Sequence, residues 1–151
     1  MSGSQTSSSD SGMSTTYISV ALRRQIYERA NGCCEYCLIP EAATFAVHEI
    51  DHIIAEKHGG ATTEDNLALA CSLCNKYKGS DLASLNPETG EIVGLYHPRQ
   101  DLWIEHFELQ GAEFTHLTAR GLVTIRLLQL NRREKVAERQ LLIQAGIFPQ
   151  I

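Results

Sequence analysis

Residues 49–60, "EIDHIIAEKHGG", set Asp51 beside His52 inside a run of isoleucines and then break into Gly59-Gly60. A strand built from Ile50, Ile53 and Ile54 gains nothing from an acid and an imidazole at its centre, since burying polar groups costs free energy unless they are paired. Both types suit hydrolysis instead. An imidazole with an unperturbed pKa near 6.5 is largely neutral at neutral pH and can take a proton from water. The Asp51 carboxylate and the side-chain carbonyl of Asn75 are hard oxygen ligands of the kind that Mg²⁺ or Mn²⁺ prefers. Asn66, at the end of the glycine-containing loop, reads by itself as a turn residue.

Four of the five cysteines form "CEYC" (34–37) and "CSLC" (71–74), separated by 33 residues. A Cys-x2-Cys turn brings two thiolates to one ion, and two such turns complete a closed tetrahedral site for zinc. A disulfide framework fits an even cysteine count and an export signal, and neither is present. A redox dithiol needs one such pair, not two. Cys33 is the leftover by spacing, because Cys34 fits the two-residue turn and Cys33 does not, with a swap of the two as the alternative. A closed Cys34, Cys37, Cys71, Cys74 site has no open coordination position, so this zinc is structural and any chemistry falls to other residues.

Within that frame, "HEIDHIIAEKHGGATTEDNLALACSLCNKYKG" presents Asp-His, Gly-Gly, Asn-Leu, the second cysteine pair, Asn and Lys in order. The combination resembles the HNH endonuclease family, and more narrowly its subgroup with a four-cysteine zinc and Asn in the last motif position. The likeness covers residues 34–79 and extends more loosely into "RRQIYERANGCCEYC" upstream and "LYHPRQDLWIEHF" downstream. It implies an α+β fold: a zinc-stapled ββα-metal (treble-clef-like) core with flanking helices. It further implies a metal-dependent endonuclease hydrolysing DNA phosphodiester bonds, with RNA open beside DNA, that nicks to leave a 5′-phosphate and a 3′-hydroxyl. In that reading His52 activates water, Asp51 and Asn75 hold one Mg²⁺ or Mn²⁺, and Asn66 orients the loop or the histidine. Lys78 is the lysine assigned to a phosphate. The rival is a zinc module that binds nucleic acid or a protein and cuts nothing, which needs none of Asp51, His52 and Asn75 in that order.

Several elements must position these residues. "SVALRRQIYERANG" (19–32) reads as a helix capped by Ser19 and ended by Gly32, with Val20, Ile26 and Tyr27 near one face. "TFAVHEIDHII" (44–54) and "LALAC" (67–71) read as strands around a loop over 55–66, and "SLCNKYKGS" (72–80) as a short helix. Neighbouring residues of a regular strand point to opposite faces, so Asp51 and His52 share a site only if the strand ends or bulges there. On the helix Cys71 and Asn75 are four apart, as are Cys74 and Lys78, so the zinc fixes the helix that carries Asn75. Further on, 86–91 reads as a turn, 92–97 and 102–109 as extended, and 118–130 and 131–146 as helices, the last capped by Asn131 and ended by Gly146. His48, Glu49, His58, His97 and His106 read as flanking or structural residues, Lys76 as a solvated helix residue, and Trp103 and Phe107 as core. Arg99 retains a weak claim to phosphate contact.

The domain organisation expected is a disordered Ser-rich tail over 1–16, a nuclease domain over 17–110 with its core at 34–79, and a helical extension over 111–151 packed on the same domain. The net charge of −5 argues against a nucleic-acid partner until its distribution is considered. The last segment concentrates Arg120, Arg126, Arg132, Arg133, Lys135 and Arg139 against Glu134 and Glu138. Arg126, Arg132 and Arg133 are the candidates for backbone contact, which gives affinity without sequence choice. No run approaches the roughly 20 apolar residues of a membrane span, nor does the start resemble a signal peptide, so the chain reads as soluble and cytoplasmic.

Overall fold

A computed structural model describes residues 16–149; all of the Ser-rich tail except Thr16 therefore lies outside the described residues. The centre is a hairpin of β1 (Glu49–His52) and β2 (Leu67–Ala70), antiparallel with Asp51 opposite Ala68 and Glu49 opposite Ala70. Alternation divides it into two faces. Ile50, Leu67 and Leu69 pack with Ile26 of helix α1 (Val20–Arg29), which is capped by Ser19 accepting from the Leu22 N–H. Of the three residues expected on the α1 face, only Ile26 is buried; Val20 and Tyr27 are exposed. The opposite face carries Glu49, Asp51, Ala68 and Ala70, and the two alanines join the core that holds the cysteines. Helix α2 (Ser72–Lys78) follows β2 directly and ends at Gly79, as the sequence predicts. The result is two strands and a helix framed by the two cysteine turns, an α+β core.

The first strand is shorter than predicted. Residues 44–48 are irregular, with Phe45 and Val47 exposed. The reason is the partner: β2 has four residues, so it can hydrogen-bond only four of β1.

Downstream lie a hairpin of β3 (Ala83–Leu85) and β4 (Ile92–Gly94), a one-turn helix α3 (Trp103–His106), and a hairpin of β5 (Phe107–Gln110) and β6 (Glu113–His116). Helices α4 (Ala119–Leu128) and α5 (Arg133–Gln144) complete the chain. The segment predicted to be extended over 102–109 is half helical because a turn aligns Trp103 with Phe107, whose ring centroids are 5.5 Å apart, and both rings pack on Phe114. β3 and β6 are too short to show a period in sequence, and β6 lies in the 111–151 extension, ahead of the two helices expected there. Asn131 does not cap α5. Its side chain accepts from the Phe114 N–H at 2.7 Å and donates to the Phe114 carbonyl at 2.8 Å, clamping β6 to the α4–α5 corner, while Arg132 takes the N-cap position without a side-chain capping bond. No helix among the described residues is long and apolar enough to cross a membrane.

Candidate metal centre and active site

The four motif cysteines converge. Cys34, Cys37, Cys71 and Cys74 are buried, and their sulfur atoms all lie within 4.8 Å of one another. Cys37 Sγ and Cys71 Sγ are 3.7 Å apart, far beyond a disulfide bond. Zinc–sulfur bonds of about 2.3 Å in a tetrahedron would space the sulfurs by about 3.8 Å, so the cluster has the dimensions of a zinc tetrathiolate. Charge agrees with size. The ammonium of Lys135, on the first turn of α5, is buried and sits 3.2 Å from Cys71 Sγ and 3.3 Å from Cys37 Sγ. Burial alone would lower the lysine's pKa, but the cysteine sulfurs outweigh it and hold the ammonium charged. Hydrogen bonding from the other three cysteines, aided by Lys135, pushes Cys71 far toward the thiolate. Thiolates this close repel unless a cation lies among them. The donor set therefore fits a thiophilic dication such as zinc, with no open coordination position.

The first cysteine turn also supplies a residue that sequence reasoning missed. Tyr36, between Cys34 and Cys37, donates its hydroxyl to Asp51 Oδ2 at 2.7 Å. Lys78 Nζ lies 3.2 Å from Asp51 Oδ2 and 3.3 Å from Oδ1, and it also donates to the His52 carbonyl at 3.2 Å. Asp51 is thus a fully buried carboxylate, 4% exposed, held from both sides. Burial raises its pKa above the ordinary value, against the pull of Lys78 and Tyr36. The placement of Lys78 corrects the sequence expectation of a phosphate contact: at 2% exposure it is not a surface cation, and its charge is spent on Asp51.

Asn75 lies one turn before Lys78 on the α2 surface that faces β1, and its Nδ2 donates to Glu49 Oε1 at 2.5 Å. Glu49 and Asp51, two apart on one strand face, both meet this surface of α2. Glu49, read from sequence as a bystander, is the immediate partner of Asn75.

His52 is the last residue of β1, and the register stays regular through it, so no bulge is present and the strand simply ends there. Its Nε2 lies 2.9 Å from Thr62 Oγ1, in the loop between the strands. Burial shifts the imidazole below its usual pKa, favouring the neutral form. Asn66 fixes that loop. It accepts from the Ile54 N–H at 2.9 Å and donates to the carbonyls of Ile54 at 2.9 Å and Ala61 at 2.8 Å. Gly60 packs so tightly beneath it that an added Cβ would stand 1.7 Å from the Ile54 carbonyl oxygen. Gly60→Ala must displace this backbone, and a loss of about 1–3 kcal/mol in urea-unfolding stability is expected.

The remaining candidates fall into structural places. His48 Nε2 donates to the Ile39 carbonyl, His58 Nε2 to the Ser80 carbonyl, and His97 Nδ1 accepts from the N–H groups of Arg99 and Gln100. His106 pairs with Thr118, and Arg99 pairs with Glu35 in the first cysteine turn rather than facing solvent. The basic C-terminal segment is less available than its composition suggests. Lys135 and Arg139 are buried, Arg120 pairs with Asp101, and Arg132 bonds Glu134 and Tyr77. Arg126 and Arg133 are exposed and make no ion pair among the described residues.

Residues 34–81 match the model of the family described as HNH endonuclease. No curated protein and no solved structure matches the chain. The matched span begins at the first zinc-type cysteine and contains both strands of the central hairpin and helix α2, so the likeness to the HNH endonuclease family is that of the cysteine-framed core.

Proposed function

We propose that the protein is a metal-dependent endonuclease that hydrolyses DNA phosphodiester bonds, with His52 as general base and Asp51 and Asn75 as ligands of a catalytic Mg²⁺ or Mn²⁺. The observation that carries this reading is the HNH match over 34–81, which encloses all three residues together with Asn66. When bound, such a cation would stabilise charge building on the phosphate and the leaving oxygen. The protein's own contribution is proton handling and positioning. With Nε2–H donated to Thr62 Oγ1, the His52 ring presents the lone pair of Nδ1, which takes the proton from the attacking water. Lys78 and Tyr36 keep the Asp51 carboxylate aimed, and Asn66 holds the loop bearing Thr62. Arg126 and Arg133 are the exposed cations suited to backbone phosphates.

Supercoiled plasmid incubated with the protein in Mg²⁺ or Mn²⁺ tests the reading through its product. Open circles that DNA ligase reseals are expected, since hydrolysis in this sense leaves a 5′-phosphate and a 3′-hydroxyl. Intact plasmid, or nicks that ligase cannot seal, would contradict it, and cutting confined to RNA would move the substrate class. Thr62→Val removes one hydrogen bond from the base, and the cleavage rate is expected to fall about tenfold.

A further inference from the structure

The zinc cluster has a neighbour outside the matched span. α5 carries Lys135, far along the chain from either cysteine turn, and delivers its ammonium to Cys37 Sγ and Cys71 Sγ, one sulfur from each turn. The side chain is 3% exposed, and among the described residues no carboxylate forms an ion pair with it; Glu138, one turn on, does not. A buried ammonium needs compensating negative charge. Here the nearest compensating groups are the two sulfurs, with Glu138 acting from farther away.

We infer that Lys135 is a second-sphere partner of the four-cysteine metal centre, which offsets the excess negative charge of a zinc tetrathiolate and fastens helix α5 across both cysteine turns. The inference rests on the zinc reading of the cluster. Zinc with four thiolates carries two net negative charges, and the ammonium neutralises one of them. Its N–H bonds draw electron density from two sulfurs, which makes those sulfurs poorer nucleophiles, while its positive charge stabilises the anionic cluster as a whole. Partners of metal ligands at this distance typically change metal affinity by 10–100-fold when removed. Lys135 thereby ties the C-terminal helix to the integrity of the nuclease core, although the HNH match ends at residue 81.

The test reads metal retention rather than cleavage. Purified full-length protein is assayed for bound zinc, then challenged with a colorimetric zinc chelator, in parallel with Lys135→Met and Lys135→Arg. Cobalt-loaded samples are compared by absorption. Lys135→Met is expected to bind one zinc and release it at least tenfold faster, with the sulfur-to-cobalt charge-transfer band moved to lower energy. Lys135→Arg should return both properties toward the parent. Leu142→Ala, which truncates a buried α5 side chain two turns beyond Lys135, should leave the band in place. Parental release and a parental band in Lys135→Met would overturn the inference while leaving the zinc reading standing. Absence of zinc from the parent would remove both.

A measurement on the parent alone guards against a variant that fails to fold. Among the four clustered cysteines Cys71 is 6% exposed, whereas Cys34, Cys37 and Cys74 are fully enclosed, so access alone would make Cys71 the first of the four to be alkylated, after the unclustered Cys33. If Lys135 shields it, mass-resolved alkylation of the zinc-loaded protein modifies Cys34 or Cys74 before Cys71. The access order would count against the proposal.

Discussion

Stripping zinc from the protein is expected to abolish its cooperative unfolding transition. The hairpin of β1 and β2 is four residues a side and α2 has two turns, elements too short to persist alone. What joins them is the cluster, since Cys34 and Cys37 precede the hairpin, and Cys71 and Cys74 open the helix. Structural zinc contributes roughly 10–16 kcal/mol in small zinc modules, against about 5–15 kcal/mol for the whole stability of a typical domain. Without the ion, four mutually repelling thiolates or four thiols facing an uncompensated Lys135 remain at the centre. Circular dichroism melting after chelation, with metal content assayed alongside, should show a lost or strongly lowered transition that returns with added zinc. An unchanged melting temperature in protein proven to be metal-free would contradict this.

Lys78→Met is expected to destabilise the fold by about 3–5 kcal/mol, because it leaves the Asp51 carboxylate buried with only Tyr36 as its partner. The companion variant decides the cause. Asp51→Asn with Lys78→Met removes both charges, so the double variant should be more stable than Lys78→Met alone, by at least 1 kcal/mol in urea unfolding. Equal instability of the single and double variants would assign the loss to packing of the lysine stem instead. The experiment bears on function as well, since the same ion pair holds the carboxylate proposed to bind the catalytic cation.

The sequence made the metal centre legible for a simple reason: two Cys-x2-Cys turns define a geometry whatever the surrounding fold. The α1, β2 and α2 segments were readable for a similar reason, each having a cap, a glycine stop or a continuous apolar run. Buried cations were not readable. Lys78, Lys135 and Arg139 look from composition like charge offered to a polyanion, yet one holds Asp51, one faces the sulfurs, and one donates to the carbonyls of Ala112 and Leu130 beneath the Phe114 ring. Charge counting has no access to burial, which depends on contacts made far along the chain. Tyr36 and Thr62 escaped notice because a tyrosine inside a cysteine turn and a threonine in a polar loop are ordinary by type. Only the fold brings them to Asp51 and His52. The shortened first strand has the same origin, since its length is set by the four residues of its partner.

The most direct test of the central claim is plasmid nicking by the parent protein and by His52→Ala, each shown to hold one zinc. If His52 is the base, the zinc-loaded variant should nick about 10²–10⁴-fold more slowly than the parent in Mg²⁺ or Mn²⁺. Equal nicking by parent and variant would contradict the assignment of the general base to His52.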